Sequence, residues 1–259
     1  MRQRRRASGP ASSEEDCRPA RAARLDRAQE TKRLPLQPQD AWQWIDPPET
    51  ATPSVETYPA RLPDGDVLHL PILPLGTDGL GIAPLLINQA SFEVKGALAD
   101  RLAEALRPFA PEVVAGLPTL GLQLARAVAQ RLGHARFAPL GTSRKFWYGA
   151  AFSTPLSSIT SPEAEKRLYL DPRLAPALAG RRVARVGDVI STGASMCVGL
   201  EVLRLADVRP VALGAAMLET SAWRGPVSEI DPGLMAATRG VLEAPLLLRT
   251  PKGSIPRPD

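Results

Sequence analysis

Between Arg182 and Ser195 the chain reads Arg-Val-Ala-Arg-Val-Gly-Asp-Val-Ile-Ser-Thr-Gly-Ala-Ser. An apolar run leads to an acidic residue, Asp188, and then to a short loop of hydroxyl residues and glycine. Backbone N–H groups of a tight loop entering a helix, joined by the hydroxyls of Ser191, Thr192 and Ser195, make a cradle for a phosphate monoester. A carboxylate just before such a loop is placed to hold ribose hydroxyls or a hydrated metal ion. The chemistry indicated is the handling of a sugar phosphate.

The elements that must position this stretch are a buried strand, Val183 to Val186, and an amphipathic helix from about Ser195 to Leu205. A second unit of the same kind precedes it. Glu112 to Leu117 reads as a short buried strand, Pro118-Thr119-Leu120-Gly121 as its loop, and a helix follows to about Leu132, closed by Gly133. Arg136 to Leu140 is a third strand, followed by Gly141-Thr-Ser-Arg-Lys-Phe-Trp-Tyr, where the adjacent cations Arg144 and Lys145 suit an anionic ligand at a strand end. Gly149 to Glu165 has no helical period; a loop of this length in a compact domain reads as a lid. Lys166 to Leu170 is extended, and Pro210 to Leu218 is a further buried strand with Glu219, Ser221 and Trp223 at its C-terminal end.

Upstream, Val55 to Tyr58 and Val67 to Leu70 flank Pro63-Asp64-Gly65-Asp66, which predicts a hairpin because Pro presets φ and Gly accepts positive φ. His69 on this hairpin reads as a packing residue rather than a ligand. Ser91 caps a helix to about Leu106, with Phe92, Leu98, Leu102 and Leu106 on one stripe. Downstream, a weak helix is expected from about Gly233 to Leu242, and a mobile tail from Pro251. Strands that are apolar throughout, alternating with helices, argue for a parallel sheet covered on both faces, with the ligand loops at one edge.

Charge and cysteine content narrow the partners. The net charge of +5 comes from residues 1–33, which hold ten Lys and Arg against five Asp and Glu; the remainder carries 22 of each sign. That stretch lacks interleaved aromatics and reads as a solvated tail, so nucleic acid is not the expected partner. Trp42 and Trp44 read as aromatics covering a neighbouring apolar surface. Two cysteines, Cys17 and Cys197, offer no disulfide framework. No apolar run suits a signal or a membrane span, so a cytoplasmic location is expected.

Val186-Gly-Asp-Val-Ile-Ser-Thr-Gly-Ala-Ser resembles the signature of the type I phosphoribosyltransferases, of the adenine and orotate kind, over roughly residues 54–225. There an apolar strand ends in two acidic residues, two apolar residues and a Thr-Gly phosphate loop. Ala115 to Gly121 stands at the position of the pyrophosphate loop, and Arg144-Lys145 precedes a flexible loop. The resemblance implies an α/β fold, a parallel sheet flanked by helices with a small hood and a lid. It divides the chain into an N-terminal extension (1–53), a transferase-like domain (54–248; hood 54–75, lid 146–165) and a C-terminal tail (249–259).

The implied activity is transfer of the 5-phosphoribosyl group between phosphoribosyl pyrophosphate (PRPP) and a nitrogenous base, as a pentosyltransferase of nucleotide metabolism. Asp188 would reach the ribose hydroxyls, and through them or through water Mg²⁺. Ser191, Thr192, Gly193, Ala194 and Ser195 would wrap the 5'-phosphate. The backbone of Leu117, Pro118 and Thr119 would contact pyrophosphate, as would Arg144 or Lys145. Trp223 is either a face for the base or a core aromatic, and a homodimer is expected because many members pair. Gly187 replaces the first acidic residue of the signature, which leaves open a second reading, a non-catalytic PRPP-binding sensor.

Overall fold

The computed structural model describes residues 43–49, 56–76, 79–149, 151–156, 166–250 and 253–257. The expectations for residues 1–42, Trp42 among them, and for the middle of the lid, 157–165, concern residues outside this set. Five parallel strands form the centre: Val113–Gly116 (β6), Ala138–Pro139 (β7), Val183–Ile190 (β10), Pro210–Glu219 (β11) and Thr238–Ala244 (β12), in the order β12-β11-β10-β6-β7. β10 is the middle strand and packs against core on both faces. Ala184 and Val186 join one core cluster and Val183 another, so helices must cover both sides.

One face is covered by Phe92–Leu106 (α1) and Gly121–Arg131 (α2), the other by Ala194–Leu205 (α4) with the short helices Ala175–Leu178 (α3), Arg224–Ile230 (α5) and Pro232–Ala236 (α6). The Ser91 hydroxyl accepts from the Val94 N–H at 3.1 Å, so the expected N-cap is made. The stripe differs by one residue: Val94, Leu98, Leu102 and Leu106 are buried, whereas Phe92 is 91% exposed. Two positions of helix are about 200° of rotation, which carries Phe92 to the solvent face once Val94 points inward.

The hairpin forms from Thr57–Arg61 (β2) and Val67–Pro71 (β3), antiparallel as expected. Trp44–Asp46 (β1) adds to its other edge. Trp44 stacks on His69 at 4.7 Å, and His69 Nε2 lies 3.2 Å from Asp46 Oδ2, with Nδ1 3.4 Å from the Thr57 hydroxyl. His69 is thus a buried packing residue. The turn residues Asp64 and Asp66 pair with Arg101, tying the hairpin to α1.

Two expectations are revised. The helix expected over 233–242 stops at Ala236, and Thr238–Ala244 instead pairs in parallel with β11. The open sheet edge offers backbone partners that outweigh a weak local helical tendency. The tail is not loose throughout: Gly253–Pro256 (β14) pairs with Leu247–Thr250 (β13), which pairs with Leu80–Ile82 (β5) and through it Leu73–Leu75 (β4). This four-stranded antiparallel sheet follows the C-terminal end of β12, while the hairpin proposed as a hood lies beside α1 and β12, so within 54–75 only β4 joins it.

Leu106 is fully buried, and with Leu102 it approaches β11 where Gly214 leaves room: a Cβ on Gly214 would meet Leu106 Cδ1 at 3.0 Å. Leu106→Ala should cost about 2–5 kcal/mol. Urea unfolding should show a lower midpoint with an unchanged slope.

Candidate active site at the strand ends

Asp188 lies within β10, one turn of pleat before the loop, so the strand runs further than its apolar core predicts. Burial pushes its carboxyl above the ordinary value, and the backbone N–H groups of Asp188 and Val189 only partly offset this. Gly187 faces the other way. A Cβ there would meet Met196 Cε at 3.8 Å and Leu117 Cδ2 at 3.9 Å, so the place of the missing acid is lined by apolar groups.

The loop after β10 turns at Gly193, whose φ of +81° excludes most side chains. A Cβ at that position would also press on the Trp223 backbone, at 3.2 Å from its Cα. α4 then starts at Ala194 with its first N–H groups directed at the loop, and the Thr192 hydroxyl accepts from the Ala194 N–H at 3.4 Å. Ser191, Thr192, Gly193, Ala194 and Ser195 therefore form one continuous cradle.

The loop from Leu117 to Leu120 is drawn against this strand. The Leu117 N–H donates to the Val186 carbonyl at 2.9 Å, and the Pro118–Thr119 peptide is cis. At the start of α2, a Cβ on Gly121 would stand 2.9 Å from Gly187 Cα and 3.0 Å from Asp188 N. Leu117, Pro118 and Thr119 are thus gathered beside Asp188.

Arg144 and Lys145 follow the end of β7. Both are exposed, Arg144 Nε donates to the Tyr148 carbonyl at 3.3 Å, and no hydrogen bond or ion pair among the described residues joins either to the β6 or β10 loops. They sit at the foot of the lid, where Ser153–Pro155 (β8) pairs with Arg167–Tyr169 (β9). Trp147 is held there by Asp171, at 3.3 Å from Nε1, and by the Arg173 guanidinium 4.9 Å from its ring.

Trp223 is a core aromatic and not an open face for a base. It is 4% exposed, packed with Ile190, Met196, Leu200 and Val227, and the Arg224 guanidinium lies 5.5 Å from its ring centre. The short loop after β11 turns the ring back beneath α4. Sequence reasoning missed a different residue, Arg257. A cleft of about 380 Å³ beside the cradle is lined by Ser191, Thr192, Thr220, Ser221, Leu246 and Arg257. The available signal was the Pro-Lys-Gly run at 251–253, a turn composition in the sequence just before Ser254 to Arg257. A hollow of about 620 Å³ between β2 and β12 contains none of the loop residues.

Residues 83–229, more than half of the chain, match the phosphoribosyl transferase domain family. The chain belongs to the type I phosphoribosyltransferases. Solved structures agree on the fold of this phosphoribosyltransferase. Adenine phosphoribosyltransferase from Thermoanaerobacter pseudethanolicus is 15% identical, covering 68% of this chain and 95% of that one, with a TM-score of 0.52. The enzyme from Giardia lamblia, complexed with 9-deazaadenine, is 15% identical over 68% and 93% of the two chains, with a TM-score of 0.53. No curated protein sequence matches the chain. Family membership supports phosphoribosyl transfer, a glycosyltransferase-type reaction. No helix among the described residues is long and apolar enough to cross a membrane.

Among the described residues no group of three or more His, Cys, Asp or Glu is arranged to hold a metal ion. Asp188 is a single carboxylate at the meeting of the two loops. That fits Mg²⁺, which keeps several waters and binds through one or two carboxylates plus substrate phosphates.

Because burial raises the Asp188 carboxyl, its ionised form costs stability at neutral pH, and that cost vanishes as the pH falls below the ordinary carboxylate value. Asp188→Asn should therefore melt above wild type at pH 7. The difference in Tm should shrink towards zero as the pH falls to about 3.9, the unperturbed aspartate value.

Proposed function

We propose that the protein transfers the 5-phosphoribosyl group between PRPP and a nitrogenous base, with pyrophosphate as leaving group. The observation that carries this reading is the convergence of the Leu117–Thr119 backbone and the Ser191–Ser195 cradle on Asp188. In the proposed complex the cradle holds the 5'-phosphate, Asp188 accepts hydrogen bonds from the ribose hydroxyls, and the N–H groups around Leu117 to Thr119 face the pyrophosphate. Arg144 and Lys145 reach it from the foot of the lid when residues 146–165 close. The bond from the anomeric carbon to pyrophosphate breaks, a bond to the base nitrogen forms, and that nitrogen loses its proton. Bound Mg²⁺, held through Asp188 and water, would supply positive charge to the departing pyrophosphate.

The cleft leading to Arg257 is the proposed place of the base, under a hood made by β4, β5, β13 and β14. Its Ser and Thr hydroxyls supply donors and acceptors to a heterocycle's edge. Pairing into a homodimer and a cytoplasmic location belong to the same reading, the first by analogy with the family and the second from a sequence with only two cysteines.

One observation favours the second reading, a PRPP-binding sensor. The space an acid would occupy at position 187 is walled by Met196 and Leu117, so half of the expected ribose contact is replaced by apolar surface. Turnover separates the two readings. Purified protein with PRPP, Mg²⁺ and a panel of purine and pyrimidine bases should release pyrophosphate with one of them. If PRPP raises the Tm but no base supports release, the sensor reading replaces the enzyme. In either case Asp188→Asn should weaken PRPP binding roughly ten- to a hundredfold, the effect of losing a charge-assisted hydrogen bond. Unchanged affinity would remove Asp188 from the site.

A further inference from the structure

The middle strand of the sheet carries a second charged residue that the proposed reaction does not use. Arg185 pairs in register with Ala115 of β6 and Leu213 of β11, and it is 0% exposed. Its side chain points to α4, where Nη2 donates to the Ser195 carbonyl at 2.8 Å. Neither Nε nor Nη1 has a hydrogen-bond partner among the described residues. Room for the guanidinium exists only because residue 199 is glycine. A Cβ there would lie 2.6 Å from Cζ and closer still to Nε and Nη2.

A buried cation ordinarily has a carboxylate beside it. Here the position two residues along the same strand face, 187, is glycine, and the neighbouring Cys197 thiol is pushed up by burial and stays neutral. Burial pulls the guanidinium down to about 9, which leaves it charged at neutral pH. It lies beneath the first turn of a twelve-residue helix, whose N-terminus already carries partial positive charge. Two positive features therefore meet under the cradle, with no carboxylate among the described residues paired to the guanidinium.

We propose that Arg185 is a positioning residue for the phosphate: it fixes the Ser195 carbonyl and adds a buried cation beneath the cradle, so that a phosphate dianion bound at Ser191–Ser195 completes a charge balance the protein lacks by itself. This rests on the reading of that loop as the phosphate site. The ligand-free protein is held below its attainable stability, and the bound phosphate recovers the difference. The missing acid at 187 is part of the same arrangement, because a carboxylate on that strand face would neutralise Arg185 from within.

The test uses the full chain, ribose 5-phosphate and inorganic phosphate. Arg185→Leu combined with Gly199→Ala removes the charge and refills the space with apolar atoms. Without ligand this double variant should melt at or above wild type, yet its Kd for both ligands should rise at least tenfold and its ligand-induced Tm shift should shrink accordingly. Arg185→Lys, which keeps the charge, should stay within threefold of wild type. If the double variant fails to fold, Arg185→Met with Gly199 retained carries the same comparison against Arg185→Lys. A folded, uncharged variant that binds ribose 5-phosphate as wild type does overturns the proposal, as does Arg185→Lys losing as much affinity as the uncharged variant. A wild-type protein that binds neither ligand overturns the phosphate reading of the loop itself, an outcome distinct from the first two.

Discussion

At the start of α2 the chain passes so close to β10 that the helix residue facing Gly187 and Asp188 must lack a side chain. Gly121 meets that requirement, with the 2.9 Å approach of its hypothetical Cβ to Gly187 Cα as the measure of how little room there is. Helix and strand are then in backbone contact, and the loop between β6 and α2 has nowhere to lie except against the end of β10. The Leu117 N–H bond to Val186 completes the join. A second close approach, Gly193 against the Trp223 backbone, does the same for the next loop. The convergence of the site on Asp188 is thus a consequence of two missing side chains and the parallel sheet that aligns the strand ends.

Around that junction, charge is distributed unlike the family signature. The expected pair of acids is reduced to Asp188, half-buried and reluctant to ionise, while the neighbouring strand face holds Arg185 without a carboxylate. In the proposed arrangement, loss of negative charge at 187 and the positive charge at 185 act in one direction, towards anions. On the proposed reading, the arrangement would favour phosphate holding over the metal and ribose contacts that two carboxylates would provide.

The parts of this arrangement that were legible in the sequence are those fixed by local chemistry. Val183 to Ser195 announced a strand, a loop and a helix because apolar run, hydroxyls, glycine and amphipathic spacing follow in immediate succession. The Ser91 cap and the Pro-Asp-Gly hairpin are equally local. What was not legible depended on partners distant in the chain. Thr238–Ala244 became a strand because β11 offered an edge, and Gly253–Pro256 because β13 did. Trp223 reads the same at a strand end whether its ring turns to a ligand or to the core, and only packing beneath α4 decides it. Arg185 drew no reading of its own within the strand Val183 to Val186; its meaning appears only with Gly199, fourteen residues later on the facing helix.

The pairing of Leu247 and Leu248 with Gly81 and Leu80 joins segments from opposite ends of the described domain. A pairing so distant in the chain must close its loop before its contacts contribute, an entropic cost that grows only slowly with loop length. The cleft wall carrying Leu246 and Arg257 therefore depends on segments from both ends of the described domain being in place. The loop at Ser191–Ser195 joins β10 to α4, neighbours in the chain, whereas the enclosure beside it also requires the pairing of β5 with β13.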